Sequence, residues 1–550
     1  MLLLLATGGF AHAAPVQALL AQPGRTATFS HFVYQGQTEE RVAPGRDDYR
    51  NPILYGYYPD PSVVRVGADY YLVNSSFAHF PGLPIFHSRD LVSWTQIGNA
   101  ISRPGQLDFA GLSVSRGAFA PDISFHDGLF YIINTCVGCG GNYVITTRDP
   151  AGPWSDPTWL PFDGIDPSIF WDGDRAWIVN NGPPDEAPRY EGHRAIWVQQ
   201  FDWRALKLSG ARTQIVNGGT DIAKRPVWIE GPHLFRRGAY VYLIAAEGGT
   251  ADQHSEVVFR GSGPTGPFTP FAGNPILTQR DLPATRADAV SSAGHADFVT
   301  TPAGDWWATF LAVRPYAPDL YNSGRETFLL PVTWPQDWPV ILPHGQRIPF
   351  AAKRPMLPPD PVPAVPLAGD VTYRDEFEGG RLGLQWIGIR GPSDAFATVA
   401  DHHLRLQPAG RLGDLRSVPG FVGRRQQTAV ATVSIDLDDR PQQTGDRAGL
   451  AAVQNDEAYL FFGLVRREGR VEVVLIVRPK DSGERVVAAA PLTGRHVTLS
   501  LHLNGGRASA IFIVGGKSRT LATDVDASFL STQKAGGFVG TIIGPYAAGR

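Results

Sequence analysis

Short apolar and alternating runs recur along the chain, separated by Gly, Asp, Asn and Pro. Runs of that length, rich in β-branched and aromatic residues, predict strands rather than helices. Between residues 50 and 345 one pattern returns five times. Each unit is a strand-like run, a Gly/Asp turn and a second strand-like run, the chemistry of a β-hairpin. The paired runs are 60–66 with 70–73, 120–125 with 129–133, 166–171 with 175–179, 230–235 with 239–243, and 295–299 with 306–310. Four of the five carry a Pro near the start, where a strand tolerates a missing N–H. The units open at Asp60, Ala120, Asp166, Glu230 and His295. A spacing of about 45–65 residues fits propeller blades with their loops. The expectation is an all-β chain with a five-bladed β-propeller over residues 45–348. A sandwich has no reason to repeat in this way.

The repeat also places chemistry. If each unit opens on the innermost strand of its blade, Asp60, Asp166, Glu230 and His295 converge near the central axis. Ala120 makes the second blade's position non-ionisable. Residues 349–366 contain seven prolines, which predicts an extended, semi-rigid linker over 349–369. Residues 370–550 are again β-rich, with segments such as 427–434 and 471–477 reading as strands of a jelly-roll-like sandwich.

Composition narrows the partners. The chain has 550 residues, 43% hydrophobic and 18% charged, as in a soluble globular protein. A net charge of −3 gives no footprint for nucleic acid or an anionic membrane. Residues 1–14 hold a short apolar run ending in Ala11-His12-Ala13, the core and cleavage site of an export signal without its basic start. A secreted or periplasmic protein is therefore expected. Cys136 and Cys139 are the only cysteines. Zinc would need about four ligands, so a local disulfide or two buried thiols remain.

Hydrolysis of a glycosidic bond needs a proton donor for the leaving oxygen and a base or nucleophile on the opposite face. Crowded carboxylates on an axis raise at least one pKa, as a general acid requires. One such acid alone is more often a turn cap, but three at one register of repeated hairpins point to catalysis.

Three blocks carrying these acids resemble glycoside hydrolase family 43: Tyr58-Pro59-Asp60-Pro61-Ser62, Gly164-Ile165-Asp166-Pro167-Ser168 and Trp228-Ile229-Glu230-Gly231-Pro232-His233. Further matches are Gly192-His193-Arg194, Ala246-Glu247-Gly248-Gly249-Thr250, Gly294-His295-Ala296-Asp297 and Gly324-Arg325-Glu326. The similar branch contains β-xylosidases and α-L-arabinofuranosidases with a C-terminal sandwich, which Asp375-Glu376-Phe377 and Gly423-Arg424-Arg425-Gln426-Gln427 also resemble. The resemblance implies an inverting, exo-acting enzyme. Asp60 would be the general base, Glu230 the general acid, and Asp166 the residue that tunes and orients that acid. Phe77, Phe119, His295 and Arg325 would line the sugar pocket. Close relatives often carry Trp where this chain has Phe119. At His295 some members hold a calcium ion or a water, and no other cofactor is implied.

The implied substrates are xylo-oligosaccharides, trimmed from the non-reducing end, or arabinoxylan fragments losing arabinose. A polysaccharide-binding propeller without catalysis is the remote alternative, and a homo-oligomer fits the same features. Relatives continue beyond a segment like 540–546 into a last strand, so the sandwich is expected either to lack that strand or to close differently.

Overall fold

The computed structural model describes residues 26–38, 40 and 43–549. The export-signal segment lies outside the described residues. All five repeated units are β-hairpins. Their first strands are Ser62–Val66, Asp122–His126, Ile165–Asp172, Glu230–Arg237 and Ser291–Thr300. Each belongs to a separate antiparallel sheet, the fifth having three strands and the others four or five. Each first strand packs against that of the next unit, and the fifth packs against the first, so the sheets close into a propeller. The five hairpin turns contain Gly67, Gly128, Gly173, Gly238 and Gly304, each with a left-handed φ. A tight turn twisted to match its strands needs that conformation, which glycine adopts without steric cost.

The opening residues are bent out of regular pairing. Asp60, Asp166 and His295 have φ of +52°, +52° and +55°. Register slips occur between Ile165 and Ser168, between Glu230 and His233, and twice between Ser291 and Asp297. Such bulges re-aim a side chain and leave an unpaired position, where Pro167 and Pro232 lose no ladder bond.

One layer below, a polar ring stitches the blades together. Ser62 Oγ donates to Asp297 Oδ2 at 2.8 Å, and Val63 N donates to the same oxygen at 2.8 Å. Ile169 N donates to Asp122 Oδ2 at 2.9 Å. His233 Nδ1 lies 3.6 Å from Asp122 Oδ1 and 3.5 Å from Asp297 Oδ1.

The C-terminal region is a sandwich of an eight-stranded and a six-stranded sheet. Val430–Leu437 in the larger sheet alternates between buried and half-buried positions, as a sheet with one covered face must. Arg447–Val453 and Ile542–Ala548 in the smaller sheet are buried at every position. One face of that sheet packs in the sandwich core, and the other packs on propeller residues Tyr57, Phe77 and Val114. Ile542–Ala548 is paired on both sides, with Arg424–Arg425 and with Arg447–Val453. It is therefore an interior strand rather than an exposed edge.

Two features lay beyond the periodicity. Ala27–Gln37 is a strand of the larger sandwich sheet, paired with Val430–Leu437, Val371–Asp375 and His403–Leu406. The proline-rich segment is strapped to the first blade: Arg354 Nη2 and Asp360 N both donate to Asp90 Oδ2, at 2.6 and 3.0 Å. Where the two halves meet, buried Arg314 donates to both oxygens of Glu326 at 2.6 and 2.8 Å, to the Gln427 carbonyl at 3.0 Å, and to Glu40.

Candidate active site

The propeller axis opens into a cavity of about 470 Å³ whose lining includes Asp60, Asp166, Glu230, His295, Arg325, Phe77 and Phe119. All seven residues singled out in the sequence are thus brought together, and Ala120 also lines the wall. The three acids are buried, with 4–7% of their surface exposed.

Their surroundings differ. Asp60 accepts from Arg325 through both oxygens, at 2.9 and 3.4 Å, and from Ser75 Oγ at 2.5 Å. Glu230 is pushed up to about 7 by burial, then by the charge on Asp60, with Arg325 and Arg194 opposing. Asp166 is raised well above the usual carboxylate range by burial and by repulsion from Glu230 and Asp60. The Gly231 N–H, at 3.3 Å from Asp166 Oδ2, works against that rise. Two carboxyl groups in one site whose environments differ in this way can divide acid and base work.

His295 Nδ1 is 3.5 Å from Asp60 Oδ1. Burial lowers its pKa to about 4, so the imidazole is neutral at pH 7. A Cβ on Gly231 would lie 2.6 Å from the His295 ring, so only glycine admits the ring at this approach. The neighbours of His295 do not fit a protein-built calcium site. Calcium takes six to eight oxygens, whereas Asp60 supplies the adjacent carboxylate and is already engaged by Arg325. Among the described residues, metal-type donors gather instead at Asp122, His233 and Asp297, one layer below.

Aromatic rings form one wall. Phe77 stacks on Phe538 at 5.8 Å and meets the Phe119 edge at 5.0 Å. Phe538 comes from the sandwich, and its N–H donates to Ser115 Oγ at 3.1 Å. No local chemistry in its sequence marked it. Arg194 and Trp228 also line the cavity, the guanidinium 4.1 Å above the indole. Both lie inside the sequence blocks that carry the family pattern, a signal that marks their positions without assigning a role. Arg116 lines the cavity as well. Its guanidinium stands beside the turn at Gly138, between Cys136 and Cys139, which form a disulfide.

Buried acids held in different electrostatic settings, within a sugar-sized aromatic pocket, are the equipment of glycoside hydrolysis. Comparison with known proteins agrees. Residues 49–339 match the model of glycosyl hydrolases family 43, and residues 374–550 match the β-xylosidase C-terminal concanavalin A-like domain. A xylosidase/arabinosidase of Butyrivibrio fibrisolvens is 36% identical over 507 residues, 90% of this chain and 95% of the relative. A non-reducing-end α-L-arabinofuranosidase of Bacteroides ovatus is 34% identical, covering 92% and 93% of the two chains. The crystal structure of a GH43_12 protein retrieved from capybara gut metagenome superposes with a TM-score of 0.87 at 36% identity, covering 96% of this chain and all of that one. The chain belongs to glycosyl hydrolase family 43, and it is a glycosidase with a propeller and a C-terminal sandwich.

Proposed function

We infer that the protein is an exo-acting, inverting glycosidase that releases xylose from the non-reducing end of β-1,4-xylo-oligosaccharides. One observation carries this reading: Asp60 is held at two points by Arg325, while Glu230 is pushed up to about 7 nearby. Asp60 then acts as general base on water, and Glu230 as general acid on the glycosidic oxygen. Water attacks the anomeric carbon and gives a proton to Asp60. The bond from that carbon to the glycosidic oxygen breaks, and the oxygen takes the proton of Glu230. Asp166 accepts from the Gly231 N–H, the residue after Glu230, and so orients that acid. Phe77, Phe119 and Phe538 pack against the sugar, and Arg325 and His295 fix its hydroxyl groups. No step is routed through a metal. A pocket walled on one side by Phe538 favours exo action.

The relatives' names also support a second reading, removal of α-L-arabinofuranose from arabinoxylan by the same acids. Export from the cytoplasm is favoured by the apolar run ending at Ala13 and by the Cys136–Cys139 disulfide.

A proton NMR time course on xylobiose tests the main reading. Early α-xylose is the expected result. Early β-xylose would show retention and remove Asp60 from the base role. Turnover of arabinofuranosides with none of xylobiose would select the second reading.

A further inference from the structure

Arg325 is the last residue of the segment joining Trp306–Val313 to Glu326–Val332 in the fifth blade. That segment leaves the propeller and lies on the sandwich. Tyr321 N donates to Ser531 Oγ at 3.0 Å, and Thr532 N donates back to the Tyr321 carbonyl at 3.1 Å. Thr541 N donates to the Asn322 carbonyl at 2.8 Å, and Asn322 Nδ2 donates to the Gly505 carbonyl at 3.1 Å. Tyr321, Asn322, Ser531 and Thr541 are all buried.

The next two residues touch the sandwich backbone directly. A Cβ on Gly540 would lie 2.6 Å from the Ser323 carbonyl oxygen and 2.9 Å from Gly324 N. A Cβ on Gly324 would lie 2.9 Å from the Gly540 Cα. On its other side, the Arg325 carbonyl accepts from Tyr58 N at 3.1 Å, two residues before Asp60. The backbone carrying Arg325 is therefore clamped between the sandwich and the strand opening that bears Asp60.

We propose that the sandwich is a working part of the hydrolytic site, and that Gly540, Thr541, Ser531 and Gly505 are positioning residues that hold Arg325 on Asp60 through residues 321–324. This rests on the roles given above to Asp60 and Arg325. It differs from the pocket-wall role of Phe538, because it acts on the charged machinery rather than on the shape of the cavity. Displacements of about 1 Å in such machinery cost on the order of a hundredfold in rate.

Gly540→Ala is the direct test. Gly540 is not in the left-handed region, so alanine meets only the contact with residues 323 and 324. Gly494→Ala is the matched control in the same sandwich, its Cβ falling 2.4 Å from Val514 Cγ1 and touching nothing near Arg325. Each is measured on 4-nitrophenyl xyloside and arabinofuranoside, with thermal midpoints, and on xylobiose, whose poor leaving group needs the acid, for full pH profiles. The expected result is a loss of kcat/KM of about tenfold or more for Gly540→Ala, with Gly494→Ala near wild type.

The pH profile separates positioning from general destabilisation. Glu230 faces Asp60, Asp166, Arg194 and Arg325, and Arg325 is a charge that lowers its pKa. Moving Arg325 away lets that pKa rise, so the alkaline limb moves to higher pH. A merely structural defect leaves the limb in place. If Gly540→Ala does not fold, Ser531→Ala carries the same test, with a smaller loss and the same direction of the limb.

Unchanged kcat/KM and pH limb in an active wild-type background would overturn the proposal alone. Equal losses in Gly540→Ala and Gly494→Ala, tracking their midpoints, would also overturn it. A wild type without turnover on either pentoside would overturn the hydrolase reading and this proposal with it.

Discussion

Arg325 and Asp60 are 265 residues apart in sequence, yet their side chains meet in a buried two-point ion pair. The fork of the guanidinium lies across both carboxylate oxygens, while its Nε has no partner among the described residues. Lysine keeps the charge but has no planar fork. Arg325→Lys is therefore expected to lower kcat/KM by about 10- to 150-fold, the value of a charge-assisted bond worth about 1.5–3 kcal/mol. Steady-state kinetics on xylobiose check it, and a variant within twofold of wild type would show that one contact suffices.

Glu230 works only while protonated. With a pKa of about 7, its protonated fraction falls through neutrality, so kcat/KM on a substrate with a poor leaving group declines above pH 7. Glu230→Gln is expected to abolish that limb. It should cost about 10²–10⁴-fold on xylobiose and far less on an activated aryl xyloside.

The same group ties stability to pH. The folded state holds its proton up to about 7, whereas an ordinary glutamate releases it near 4.5. Its contribution to stability is thus fully present below about 4.5 and is lost as pH rises through 7. Glu230→Gln should therefore melt higher than wild type at pH 8, with a smaller difference at pH 4.5. Differential scanning calorimetry at the two pH values reads this directly.

Arg314 makes a different prediction, about architecture. It is the shared partner of Glu326 and Glu40 at the meeting of propeller and sandwich. Arg314→Met leaves buried carboxylates without their cation, which typically costs about 3–5 kcal/mol. Arg314 lowers the raised pKa of Glu326. Without it Glu326 takes up a proton more readily, so the deficit should shrink toward low pH. A melting deficit independent of pH would contradict this account.

The propeller was legible because its signal repeats. Each hairpin needs a left-handed glycine turn, and the bend falls at Asp60, Asp166 and His295 and one residue on, at Gly231, after Glu230, so these four could be placed together from spacing alone. Phe538 could not be, because its place depends on one sheet docking on another, which leaves no periodic trace. Ala27–Gln37 was missed for a related reason. Its alternation says strand, but not which distant strands it joins. The sheet of Arg447–Val453 and Ile542–Ala548 hides its orientation because both faces are covered, and burial at every position removes the alternation that would separate inside from outside.

The strand Ala27–Gln37 pairs with Val430–Leu437, about 400 residues later. On the ribosome it emerges before the propeller, and its main-chain partners are made only after all five blades. The larger sandwich sheet can consequently be completed only after the whole propeller has been synthesised. A fragment spanning only residues 370–550 would be one strand short at the centre of its larger sheet. Supplying 27–37 in trans, or fusing it ahead of residue 370, is the minimum repair for anyone who wants that half alone. The chain is thus fastened like a belt, its early strand buckled into the sheet that its last third builds.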